Sequence, residues 1–192
     1  MQVTQIPVQK LRVSEVVNLD PVDVYLEDAA PGRGCLVVTC ADQSWTHTWT
    51  SMGSGRSLAD FLVACDVDYL VRAMGHGLPA ERFSGTAMEI LARRTVLGRR
   101  RPSLRPDKYD DEEWSASKAR EIYDQVKGRF TRVGSVQECP AGLMAELFGP
   151  DDWWLSTDRA SEPNPAHVHL TRVVTAVRDA VMQIKQEEFE VV

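Results

Sequence analysis

The sequence predicts a single α+β domain over residues 1–192, with a small antiparallel sheet of three or four strands. About five or six helices pack mainly on one face of that sheet. Two observations predict this. Strand-like stretches crowd into residues 1–55, while helix-like stretches fill 56–186. Such segregation gives an α+β fold rather than an alternating α/β one. Within the first region, Asp23 to Thr50 reads as three short strands joined by tight turns, the pattern of a meander.

Taken in order, residues 2–16 read as an N-terminal strand or extended arm, with Leu11, Val13 and Val16 as its apolar members. Asn18-Leu19-Asp20-Pro21 is a turn. Val22, Val24 and Leu26 then alternate with Asp23, Tyr25 and Glu27. After the turn Pro31-Gly32-Arg33-Gly34, Cys35 to Cys40 is nearly all apolar, which predicts a central strand covered on both faces. Ala41-Asp42-Gln43 turns the chain again, and Ser44 to Thr50 alternates strictly. Strand side chains repeat with period 2, so Trp45, His47 and Trp49 point one way and Thr46, Thr48 and Thr50 the other. The threonine side is the natural solvent face, which predicts a core-facing aromatic side with His47 hydrogen-bonded at its rim. An exposed aromatic platform for stacking bases or a partner is the competing reading.

Met52-Gly53-Ser54-Gly55 reads as a flexible link. Ser57 is an N-cap with Asp60 three residues on, close to a capping box, and Leu58, Phe61, Leu62 and Cys65 follow at helical spacing. A second helix spans Tyr69 to Met74 and is stopped by Gly75-His76-Gly77. A third runs from about Thr86 to Val96, with Arg93 and Arg94 in its last turns and Gly98 ending it. Arg99 to Pro106 holds two prolines and four arginines, which predicts that no helix continues there. A fourth starts near Ser115 or Ser117, with the stripe Ala119, Ile122, Tyr123, Val126. A fifth covers Ala141 to Phe148, and a sixth about His169 to Gln186.

Composition narrows the function classes. Apolar residues make up 43% of the 192, enough for a real core. No run reaches membrane-span length and no signal pattern opens the chain, so a cytoplasmic protein is expected. Cys35, Cys40, Cys65 and Cys139 have no paired spacing and are expected to be free and buried. Net charge is −6, unevenly spread. Residues 91–132 carry 12 basic and 7 acidic side chains; 1–90 carry 6 and 11, and 133–192 carry 4 and 10. A basic middle thus lies between acidic flanks.

Motifs for catalysis are missing: no phosphate loop, dinucleotide fingerprint, zinc-protease pair or nucleophile elbow occurs. Gly53-Ser54-Gly55 is too short to cradle a phosphate. Cys35 and Cys40 fall on opposite strand faces and cannot share a metal. His167 and His169 share a face only if extended, and lack further ligands nearby. No enzyme activity, metal or cofactor is expected. Two surfaces stand out instead. Arg93, Arg94, Arg99, Arg100, Arg101 and Arg105 form a cationic run that fits nucleic-acid phosphates, or a solvated face paired with the acids that follow. Asp110, Asp111, Glu112 and Glu113, and then Asp151-Asp152-Trp153-Trp154, are the candidates for a protein partner. The two tryptophans either plug the fold or anchor a binding site.

Four blocks carry a resemblance. "DPVDVYLEDAAPGRGCLVVTCADQSWTHTWTSMG", "LADFLVACDVDYL", "SASKAREIYDQV" and "LMAELFGPDDWW…PNPAHVHLTRVVTAV" occur in that order. Together they resemble a family of small proteins encoded by tailed phages and prophages, over roughly residues 20–185. Residues 98–111 and 156–162 depart from the family pattern. The resemblance transfers no catalytic motif. It implies a phage origin and a small accessory role of one of two kinds. One is a stoichiometric inhibitor of a host nucleic-acid-handling defence complex, of anti-CRISPR type. The other is a nucleic-acid-binding accessory factor in phage recombination or replication. Net acidity favours the first and the local arginines the second.

Overall fold

Four antiparallel strands pair in sequence order: β1 (Gln9–Val13), β2 (Val22–Ala30), β3 (Arg33–Cys40) and β4 (Gln43–Trp49). The computed structural model describes residues 1–53, 55–101, 113–150 and 153–190. They form two compact units, Met1–Ala80 with Pro165–Val192, and Glu81–Asn164. The α+β class and the antiparallel meander are as the sequence predicts, with the N-terminal strand confined to Gln9–Val13.

In the first unit the register stacks apolar residues across the sheet. Leu11, Val24, Val38 and Trp45 form one row, flanked by Leu26 with Leu36 and by Val22 with Cys40. Val22, Val24 and Val38 are wholly buried. Burying each such side chain contributes about 1.5–3 kcal/mol. Helices α1 (Leu58–Ala64), α2 (Val67–Gly75) and α7 (Pro165–Glu190) supply the other half of this core through Leu58, Leu62, Leu70, Met74, Leu170 and Val173. β3 departs from the expectation of two covered faces. Leu36, Val38 and Cys40 are buried, but Cys35, Val37 and Thr39 are only half-buried. The helices lie on one side alone, and the apolar run reflects cross-strand packing beside Tyr25 and Thr46 on the open side. The Arg12 guanidinium pairs with Asp23 at 2.7 Å on that side and holds its carboxyl below the usual range.

Local signals fix the helix ends. Ser57 Oγ accepts from the Asp60 N–H and donates to its carboxylate at 2.6 Å, the capping box the spacing suggests. Lys185 of α7 also bonds Asp60, so the cap joins α1 to α7. At the other end of α1, Arg178 donates to the carbonyls of Val63 and Cys65, which helical bonding leaves open. Met52 is no part of a loose link: it is buried, and its N–H donates to the Gly32 carbonyl at 2.8 Å. α2 ends where His76 takes a left-handed backbone (φ 46°).

The second unit has its own core, so the four-stranded sheet is not the sole surface on which the helices pack. α3 (Gly85–Arg100), α4 (Ala116–Val126) and α5 (Ala141–Phe148) enclose Met88, Ala92, Ile122, Phe130, Met144 and Leu147. A short helix, α6 (Trp153–Ser156), follows. β5 (Glu81–Phe83) pairs antiparallel with β6 (Ser161–Pro163), and Arg82 bonds Glu162 at 2.8 Å across the pair.

Candidate partner-binding surface

α3 corrects the expected end of the third helix. It runs through Gly98 to Arg100, and Arg101 caps it by donating its N–H to the Leu97 carbonyl. Gly98 is buried inside the helix, and the chain leaves the helix at the residue before Pro102. Arg93 and Arg94 therefore sit mid-helix, and Arg99 and Arg100 occupy the last turn.

The arginines divide into two groups. Arg93 pairs with the buried Glu89 at 2.5 Å and lies 5.4 Å from the Tyr123 ring centre. Arg99 lies 5.0 Å from the Trp114 ring centre, and Lys118 reaches the same ring at 5.2 Å. Arg100 pairs with Glu113 at 3.5 Å, and the Trp114 N–H donates to the Arg99 carbonyl at 3.0 Å. These three are engaged in the fold. Arg94 and Arg101 are exposed and make no ion pair among the described residues. Arg105 lies outside the described residues. Between and beside the two free cations, Ile90 and Leu97 are each about half exposed, at 50% and 49%. The sequence reading missed this exposed apolar pair; carrying the 3.6-residue period past Val96 exposes it.

Of the acidic candidates, Glu113 sits against Arg100, while Asp110, Asp111, Glu112, Asp151 and Asp152 lie outside the described residues. The two tryptophans differ in exposure. Trp153 packs on the second core, whereas Trp154 is 50% exposed. Their rings meet edge to face at 5.9 Å, and Thr157 Oγ1 donates to the Trp154 carbonyl at 2.6 Å. The partly buried Trp153 ring thus packs on its exposed neighbour.

Compared with known families, the chain matches one described as a phage family, Phage_phiTE_072, over residues 1–183. The chain belongs to this phage protein family. The match begins at residue 1, ahead of the expected resemblance, and so takes in the N-terminal arm. Neither a curated protein nor a solved structure matches it.

Elsewhere in this phage protein, the aromatic side of β4 faces inward and its threonine side faces out. Trp49 is buried and its indole N–H donates to the Tyr69 hydroxyl at 3.1 Å; Trp45 packs beside His169 at 5.7 Å. His47 lies 4.5 Å from the Trp49 ring and 6.0 Å from His76. Burial, and then the neighbouring His76, lower its pKa, against a hydrogen bond to the Ala73 backbone. His167 and His169 both lie on α7, two residues apart, and so do not share a face. Among the described residues no three His, Cys, Asp or Glu side chains are grouped to hold a metal ion. Cys40 and Cys139 are buried as expected, but Cys35 and Cys65 are half-exposed. Burial pushes the Cys40, Cys65 and Cys139 thiols up, away from the reactive thiolate. A shallow cleft of about 170 Å³ lies in the first unit between Leu11, Leu26, Val181 and Lys185, with Asp28 on its wall. Asp28 there accepts from the Leu58 N–H, and Lys185 is bonded to Asp60, so both polar groups are committed to the fold. No helix among the described residues is long and apolar enough to cross a membrane.

Proposed function

We propose that this phage protein acts by stoichiometric binding rather than catalysis. Its partner is a host protein complex that handles nucleic acid in defence, such as a CRISPR surveillance complex. Trp154 carries this reading: a half-exposed indole that meets the partly buried Trp153 edge to face, two residues after a pair of aspartates in the sequence. Tryptophan dominates binding hot spots, and carboxylates beside it pair with the Lys and Arg that line a nucleic-acid cleft. Charge supports the same partner. Residues 1–80 with 165–192 hold 8 basic and 13 acidic side chains, a net of −5, whereas 81–164 hold 14 and 15. A net negative charge of that kind steers the chain as a whole towards a cationic cleft. The test is phage plating on a defended host with and without this protein, followed by pull-down of the effector. Plating is expected to recover with the native chain and to fall back with Trp154→Ala. Unchanged plating against every defence system of the natural host would overturn the reading.

A second reading, nucleic-acid contact, is favoured by the exposed Arg94 and Arg101. It predicts a mobility shift of duplex DNA at low salt. The slope of log affinity on log salt then falls by about 0.9 for each phosphate contact removed.

A further inference from the structure

We propose that the outer face of α3 docks an acidic amphipathic helix of a protein partner. Ile90, Arg94 and Leu97 follow one another at spacings of four and three residues, so they lie on one side of the helix, and Arg101 caps its end. All four are exposed, and neither arginine makes an ion pair among the described residues. A surface helix ordinarily turns a polar face outward. Here two aliphatic side chains, about 10.5 Å apart along the helix axis, lie beside Arg94, with Arg101 at the helix end. A partner helix with apolar residues seven apart and carboxylates beside them matches both features at once.

Other occupants fit less well. A second copy would bring four arginines into one interface without supplying a carboxylate from this face, and like charges across an interface repel. A nucleic acid would take the arginines but leave Ile90 and Leu97 against phosphate and sugar. The nearby rings that could stack on its bases already carry cations, Tyr123 under Arg93 and Trp114 under Arg99 and Lys118. An acidic helix uses the aliphatic pair as well as the cations.

This face does not include Trp154, and its occupancy is read on purified protein. Failure here leaves the Trp154 reading standing, and failed plating leaves this one standing. The probe is a labelled peptide of about 20 residues, long enough to hold some helix, with Leu and Glu each recurring every seven. A second peptide carries Lys in place of Glu. Fluorescence anisotropy with the full chain should show binding of the Glu peptide and none of the Lys peptide. The double variant Arg94→Glu/Arg101→Glu, at exposed positions, should keep its melting temperature. It should lose about tenfold or more in affinity for the Glu peptide, and should gain the Lys peptide. Absence of Glu-peptide binding, or equal binding of both peptides by the native chain, overturns the assignment. So does a shift of duplex DNA that the double variant abolishes while the Glu peptide stays unbound, which gives the face to nucleic acid.

Discussion

His47 and Gly85 show how single residues hold this protein. His47 is partly desolvated against Trp49 and beside His76, which lowers its pKa below that of the unfolded chain. The unfolded chain then binds more protons between the two values, so stability falls as pH drops below ~6.5 and levels off once the folded ring is protonated. His47→Gln should flatten the dependence of the urea midpoint on pH between about 7 and 5; an unchanged slope would place the titration elsewhere. A Cβ on Gly85 would lie 2.0 Å from the Phe130 carbonyl oxygen and 2.8 Å from that of Val133, both backbone atoms. Gly85→Ala should therefore cost about 1–3 kcal/mol or more, as overpacking does. Gly142, in α5, meets nothing within 4 Å. There Gly→Ala should be neutral or add about 0.4–1 kcal/mol. Chemical denaturation of the two variants gives the contrast. Neither glycine announces itself in the sequence, because the close approach at Gly85 is made by a segment 45 residues further on.

At the scale of elements, caps and periodicity were legible and lengths were not. Ser57 with Asp60, and Ala141 to Phe148 between Pro140 and Gly149, are found where the sequence puts them. α3 overran its expected end because one glycine costs a helix only about 1 kcal/mol, which burial of Met88, Ala92 and Val96 outweighs. The pair β5–β6 was invisible, since three polar-rich residues carry no alternation and their partners lie 80 residues apart. Two predictions belong here. Ser57→Ala removes a cap that also holds Asp60 towards Lys185, and should cost about 1 kcal/mol. Arg99→Ala should destabilise the second unit more than Arg101→Ala, because the Arg99 guanidinium lies over the Trp114 ring whereas Arg101 is exposed. Arg101→Ala should stay within about 0.5 kcal/mol of the native chain. Equal thermal shifts in the two would show that the Trp114 contact contributes nothing.

For the molecule as a whole, the segregation of strand and helix was readable, but the second core was not. Met88, Ile122 and Met144 look from sequence like any helix stripe, and nothing local says that they pack on one another rather than on the sheet. The candidate surface was legible to the same degree. Tryptophans and arginines could be named, but which of them face solvent depends on contacts such as Arg93 with Tyr123 and Trp153 with the second core. The charge pattern sharpens once the units are known, because the excess acid belongs to the sheet-bearing unit. The central claim is that this phage protein works by binding through Trp154. The most direct measurement is plating efficiency on a defended host expressing either the native chain or Trp154→Ala at equal abundance. The account predicts recovered plating with the native chain and a loss with the variant, consistent with about 2 kcal/mol or more of binding removed. Equal protection by the two would contradict it.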